Sequence, residues 1–122
     1  GLDMEGVKLQ GAHLEKADLR AVNLRGADLR GARLTGARLA GSDLRGAQLG
    51  PLMISPERLL PADLTGASLR GVDMSGADLR RAVLTDADLS RAVLHGAQMR
   101  QAELTGANLN GARGLPAQEP AA

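Results

Sequence analysis

An all-β solenoid is the fold class this sequence predicts. A five-residue period runs through it without a slip: every fifth position from Met4 to Leu109 is large and apolar, with 18 Leu, three Met and Ile54 among 22 centres. Two residues before each centre stands a compact residue, Ala in 15 of the 22 cases; Val7, Val22, Ser42 and Val72 are also small, and Leu2, Leu52 and Glu57 depart. Two residues after the centre Gly is usual, as in Leu29-Arg30-Gly31, which reads as a turn. Apolar spacings of 2 and 3 turn by about 500° per quintet on a helix and leave it no fixed apolar face. Strict alternation fits the Ala-x-Leu half of each quintet alone. A short extended piece closed by a turn, repeated without pause, is the pattern of a coiling chain.

Composition narrows the class further. At 122 residues the chain is one domain at most. It has no Phe, Tyr or Trp, so Leu, Ala, Val and Met must fill a narrow, uniform interior without the area that aromatics supply. The absence of Cys rules out disulfides and thiolate metal sites. Fifteen basic against 14 acidic residues give a net charge of +1, which argues against a strongly basic nucleic-acid binder and against a strongly acidic mimic of DNA. No run of 18 apolar residues and no signal-peptide pattern occurs, so bacterial cytoplasm without membrane contact is expected. Gly1 in place of an initiator Met suggests a trimmed or excised piece.

The quintets GADLR, GARLT, GSDLR and GANLN, repeated in phase from Met4 to about Ala112, resemble the pentapeptide-repeat family, whose consensus is A-(D/N)-L-x-x. The resemblance implies a right-handed quadrilateral parallel β-helix. One quintet would form a side, four a coil, and the centre and the small residue before it would point inward. Five and a half coils result if all 22 quintets take part, and about five if a loop leaves the path. Inward leucines would stack in ladders such as Leu24, Leu44 and Leu64. The solenoid is expected over 1–112, with 113–122 as a flexible tail. The family often closes its last coil with a helix or an aromatic module. None is visible here, so the bare edge points to a partner or to end-to-end pairing with a second copy.

The period is disturbed at Gly50 to Pro61, GPLMISPERLLP. Proline takes the turn positions, and Glu57 falls on an inward small position where an unpaired carboxylate is costly. Ser55-Pro56-Glu57-Arg58 also has the form of a helix start, with Ser as cap and Pro in the first turn. About ten residues are therefore expected to leave the coil near 50–61 as a loop carrying a helical turn. Ten is two quintets, which explains why the register survives. The alternative is a bulged side that keeps Leu52, Ile54 and Leu59 inward.

No constellation for catalysis emerges. The carboxylates precede the centres and alternate with Arg, as in Asp18/Arg20, Asp28/Arg30, Asp43/Arg45 and Asp78/Arg80. They read as a solvated wall of ion pairs worth roughly 0–1 kcal/mol each. His13 and His95 are the only histidines and lack the cluster a metal needs. The glycines are turn glycines, and Met4, Met74 and Met99 are core filler. No enzyme activity, cofactor or metal is expected. The surface remains: residues 20 apart stack, so Arg25 lies over Arg45 and Arg80 over Arg100, either a basic stripe for an acidic partner or a hydrated wall with Asp offsetting the charge. The loop, with Met53, Ser55, Glu57, Arg58 and Leu60, is the better candidate for binding. The expected function is a scaffold or protein-interaction module without direct nucleic-acid contact. The alternative, implied by the resemblance, is a DNA-mimic protein that binds type II topoisomerases such as gyrase, protecting or inhibiting them. The interrupting loop suits that reading. The acidic surface and aromatic dimer module it calls for are missing.

Overall fold

The computed structural model describes residues 1–116; most of the expected tail, 117–122, lies outside the described residues. Every side of the coil is built by the same local device. In the quintet around Leu24, the Ala27 amide donates to the Leu24 carbonyl at 3.0 Å, and Gly26 between them has φ +65°. A four-residue turn with positive φ at its third position follows the type II pattern, which glycine enters without steric cost. Between turns, the residue just before each centre bridges in parallel to the coils above and below.

The bridges give the length of a coil. They join residues 20 apart from Asp3↔Asn23 to Asp28↔Gln48, and again from Asp63↔Val83 to Val93↔Arg113. Four quintets therefore complete one coil, as expected. Leu24 donates to the Asp43 carbonyl at 2.8 Å on one side, and Asp28 to Val7 at 2.8 Å on the other. Coil-to-coil pairing thus satisfies backbone groups that a single five-residue side could never satisfy within itself.

The interior is the predicted one. Leu24, Leu29, Leu34, Leu39, Leu44 and Leu49 are fully buried, and so are Ala27, Ala32, Ala37 and Ala47. The same holds beyond the interruption for Leu64, Leu69, Met74, Leu79, Leu84 and Leu89. Among the described residues there is no helix, and so none long and apolar enough to cross a membrane.

At the interruption the bridges jump to residues 30 apart: Arg33↔Asp63, Arg38↔Ser68, Asp43↔Asp73 and Gln48↔Asp78. Ten residues have left the coil, and the ladder from Leu24 and Leu44 continues to Met74, not to Leu64. The departing segment is an antiparallel hairpin of β1 (Leu52–Ser55) and β2 (Arg58–Leu60), with Leu52 opposite Leu60, Met53 opposite Leu59 and Ser55 opposite Arg58. The expected loop is present, but its helical turn is not. Ser-Pro at the start of a tight turn suits a hairpin as well as a helix start. The flanking apolar residues pair across the two strands, which one isolated helical turn could not offer. The bulged alternative fails too, because Ile54 and Leu59 are 51% and 44% exposed.

Candidate interaction surface

The walls are built from a repeated carboxylate motif. The aspartate before each centre accepts the backbone N–H two residues on, as Asp43 Oδ1 does from Arg45 at 3.1 Å. This holds the turn. Where that second residue is Arg, its guanidinium closes on the same carboxylate, at 2.7 Å for Asp18–Arg20 and Asp28–Arg30, 2.6 Å for Asp43–Arg45 and 2.8 Å for Asp78–Arg80. At Asp63 and Asp73 that residue is Thr or Ser and its hydroxyl donates instead, Thr65 to Asp63 at 2.6 Å and Ser75 to Asp73 at 2.7 Å. The hydrogen bond from Arg20 pulls the Asp18 carboxyl down to about 2. Arg30, Arg45 and Arg80 lower Asp28, Asp43 and Asp78 in the same way.

Arg25 does lie beside Arg45, but no basic stripe results. Arg25 meets Glu5 at 2.7 Å and approaches Asp43 at 3.9 Å, while Arg45 holds Asp43 and approaches Asp73 at 4.0 Å. The corner is a zipper of alternating sign, the hydrated-wall reading of the sequence. Arg80 is bound to Asp78, and Arg100 is exposed one coil above it. His13 and His95 are exposed, and no group of three His, Cys, Asp or Glu among the described residues could hold a metal.

The hairpin divides its side chains between two faces. The Leu52–Leu60 pair turns onto the coil at Gly31, so Leu60, a binding candidate from the sequence, is half-buried. A β-carbon added to Gly31 would stand 2.8 Å from Leu52 Cβ and 3.2 Å from Leu60 Cδ2. The Met53–Leu59 pair faces away, and Met53 is 67% exposed. Ser55 is half-buried at the end of β1, while Glu57 and Arg58 are exposed at the tip. Beside the hairpin lies a notch of about 300 Å³ lined by Pro51, Leu59, Pro61, Arg81, Val83, Gln101 and Glu103. Ile54 and Leu59 are not among the binding candidates from the sequence, because both occupy centre positions of the quintet period and only the bulged alternative gives them a place. The sequence reading missed Arg81 and Gln101 although both break the glycine rule at the turn, which is a readable signal.

A family model for pentapeptide repeats matches eight copies over residues 1–36, 17–50, 62–86 and 82–113. The chain belongs to the pentapeptide-repeat family. The matched stretches leave out 51–61, the segment that the hairpin occupies. Among solved structures, this pentapeptide-repeat chain is similar to a trypsin-treated form of QnrB1, a plasmid-mediated fluoroquinolone resistance protein, at 26% identity and a TM-score of 0.60 over 86% of this chain and 49% of that one. It is also similar to HetL from the cyanobacterium Nostoc sp. strain PCC 7120, a pentapeptide repeat protein involved in heterocyst differentiation regulation, at 36% identity and a TM-score of 0.48 over 93% of this chain and 52% of that one. The chain thus spans about half the length of these two relatives. Comparison with curated sequences finds no significant match.

Proposed function

We propose that this chain is a non-catalytic docking scaffold, a right-handed quadrilateral β-helix of about five coils that holds one hairpin out for a protein partner. One observation carries the reading: the hairpin that leaves the coil exposes three large apolar side chains, Met53, Ile54 and Leu59, at 67%, 51% and 44%. Covering what remains exposed of these side chains is worth about 1 kcal/mol or somewhat more each, and the rigid coil removes the ordering cost that a free loop would bring to binding. A net charge of +1 offers little to nucleic acid, whose binding is driven by phosphate neutralisation, so a protein is the fitting partner.

The test is a photo-reactive residue placed at Met53, in cells of the source organism, with the same residue at His13 as the control. A discrete protein adduct from position 53 and none from 13 is expected. No adduct, or the same set from both positions, overturns the reading.

A second reading, a decoy that binds a type II topoisomerase, draws support from the fold likeness to QnrB1 and from a segment projecting out of the coil. The net charge of +1 and the zippered Arg25–Arg45 corner weigh against it. A gyrase supercoiling assay with excess protein, with and without a fluoroquinolone, decides: no inhibition and no protection removes it.

A further inference from the structure

Resting on the docking reading above, we propose that the notch beside the hairpin takes an extended protein segment in which an aliphatic side chain stands next to an acidic one. Pro51, Leu59, Pro61 and Val83 make its apolar part, and Arg81, Gln101 and Glu103 its polar part. Its volume of about 300 Å³ is at the small end for ligand sites, so it suits one or two side chains.

The polar part is arranged for a carboxylate. Arg81 Nε donates to Gln101 Oε1 at 3.0 Å. That bond fixes the guanidinium plane and leaves its two terminal nitrogens without a partner among the described residues. It also uses the Gln101 oxygen, so the Gln101 amide nitrogen remains as a donor. A guanidinium fork with a neighbouring amide donor matches the planar, bidentate geometry of a carboxylate. Glu103 bridges to Val83 one coil below, and its side chain has no partner among the described residues. It disfavours a second acid and limits the docked segment to one.

Arg81 and Gln101 hold the turn position that is Gly11 and Gly31 in coils nearer the N terminus, at φ 60° and 61°. Lys16, Ala21, Asp86 and Arg91 have the same conformation elsewhere, so strain alone marks nothing. What distinguishes this pair is its mutual bond and the apolar lining next to it.

The experiment is an NMR titration of the full chain, 15N-labelled, with end-capped hexapeptides centred on Leu-Glu, Leu-Gln or Ala-Glu. The Leu-Glu peptide is expected to give saturable shifts confined to the amides around Leu59, Arg81, Val83 and Gln101. The other two peptides should bind roughly tenfold more weakly or worse. Arg81→Gly should abolish the preference for Glu over Gln while leaving the spectrum folded, since glycine is at ease at this φ. Equal shifts for all three peptides, shifts centred elsewhere, an undiminished preference in Arg81→Gly, or no saturable shift by about 10 mM would overturn the proposal. A Met53 adduct with no peptide response removes the notch and keeps the hairpin; a peptide response with no adduct does the reverse.

Discussion

At the level of single residues, two kinds of side chain define the coil, and each can be tested. Leu29 and Ala77 are both fully buried in a bore too narrow to exchange their sizes. Leu29→Ala should cost about 2–5 kcal/mol through the cavity it leaves, and Ala77→Leu about 1–3 kcal/mol through overpacking, both read from thermal melts. Ser42 is the exception among inward positions. Its hydroxyl is buried with no hydrogen-bond partner, between Val22 and Val72 in the same ladder. Ser42→Ala should therefore stabilise by about 1 kcal/mol, since an unsatisfied buried donor is removed at nearly constant shape. On the walls, the arginines lower their aspartates, Asp18 to about 2. A carboxylate depressed in the folded state stabilises above its unfolded value near pH 4 and loses that contribution as the pH falls toward the folded value. The melting temperature should be flat from neutrality to about pH 4.5 and drop between about pH 4 and pH 2. A midpoint that holds or rises over that range would contradict the paired walls.

At the level of the element, the hairpin depends on a residue far from it in sequence. Gly31 has φ +69° and no space for a β-carbon, with Leu52 Cβ 2.8 Å from where one would sit. Gly76 has φ +70° and nothing within 4 Å of that point. Gly76→Ala should cost only the left-handed strain, about 1 kcal/mol. Gly31→Ala should cost more and should also lift the hairpin, read as faster proteolysis within 52–60 at unchanged coil protection. Equal effects from the two changes would show that the hairpin does not rest on the coil. This contact also marks where the sequence stopped being legible. The departure of ten residues was readable from Pro51, Pro56, Pro61 and Glu57, because each breaks a rule of the quintet. The hairpin's resting place was not, because it needs Gly31 to lie beneath Leu52, and that follows from coil stacking and not from local pattern. The notch was half legible: Arg81 and Gln101 advertise themselves by displacing glycine, but nothing nearby in sequence brings Leu59 and Pro61 to their side.

At the level of the whole molecule, the regular part was readable almost residue by residue, because Leu and Ala alternate around a bore that admits nothing else. The charges were readable as pairs within a quintet, but the zipper from Glu5 through Arg25, Asp43 and Arg45 to Asp73 joins successive coils. The same stacking predicts that the coil does not need its hairpin. Deleting 51–60 and replacing Pro61→Gly, since proline cannot adopt the positive φ of that turn, should restore an ordinary corner. Arg33 would still face Asp63, now 20 residues away, and the melt should stay cooperative with a midpoint within a few degrees. Loss of cooperativity would mean that the hairpin nucleates the fold. The seam between Gly50 and Pro61 is thus a socket for cargo. Any insert whose two ends close to about 7 Å, the span of a tight turn, could be grafted there, and the molecule could change what it recognises while keeping its chassis.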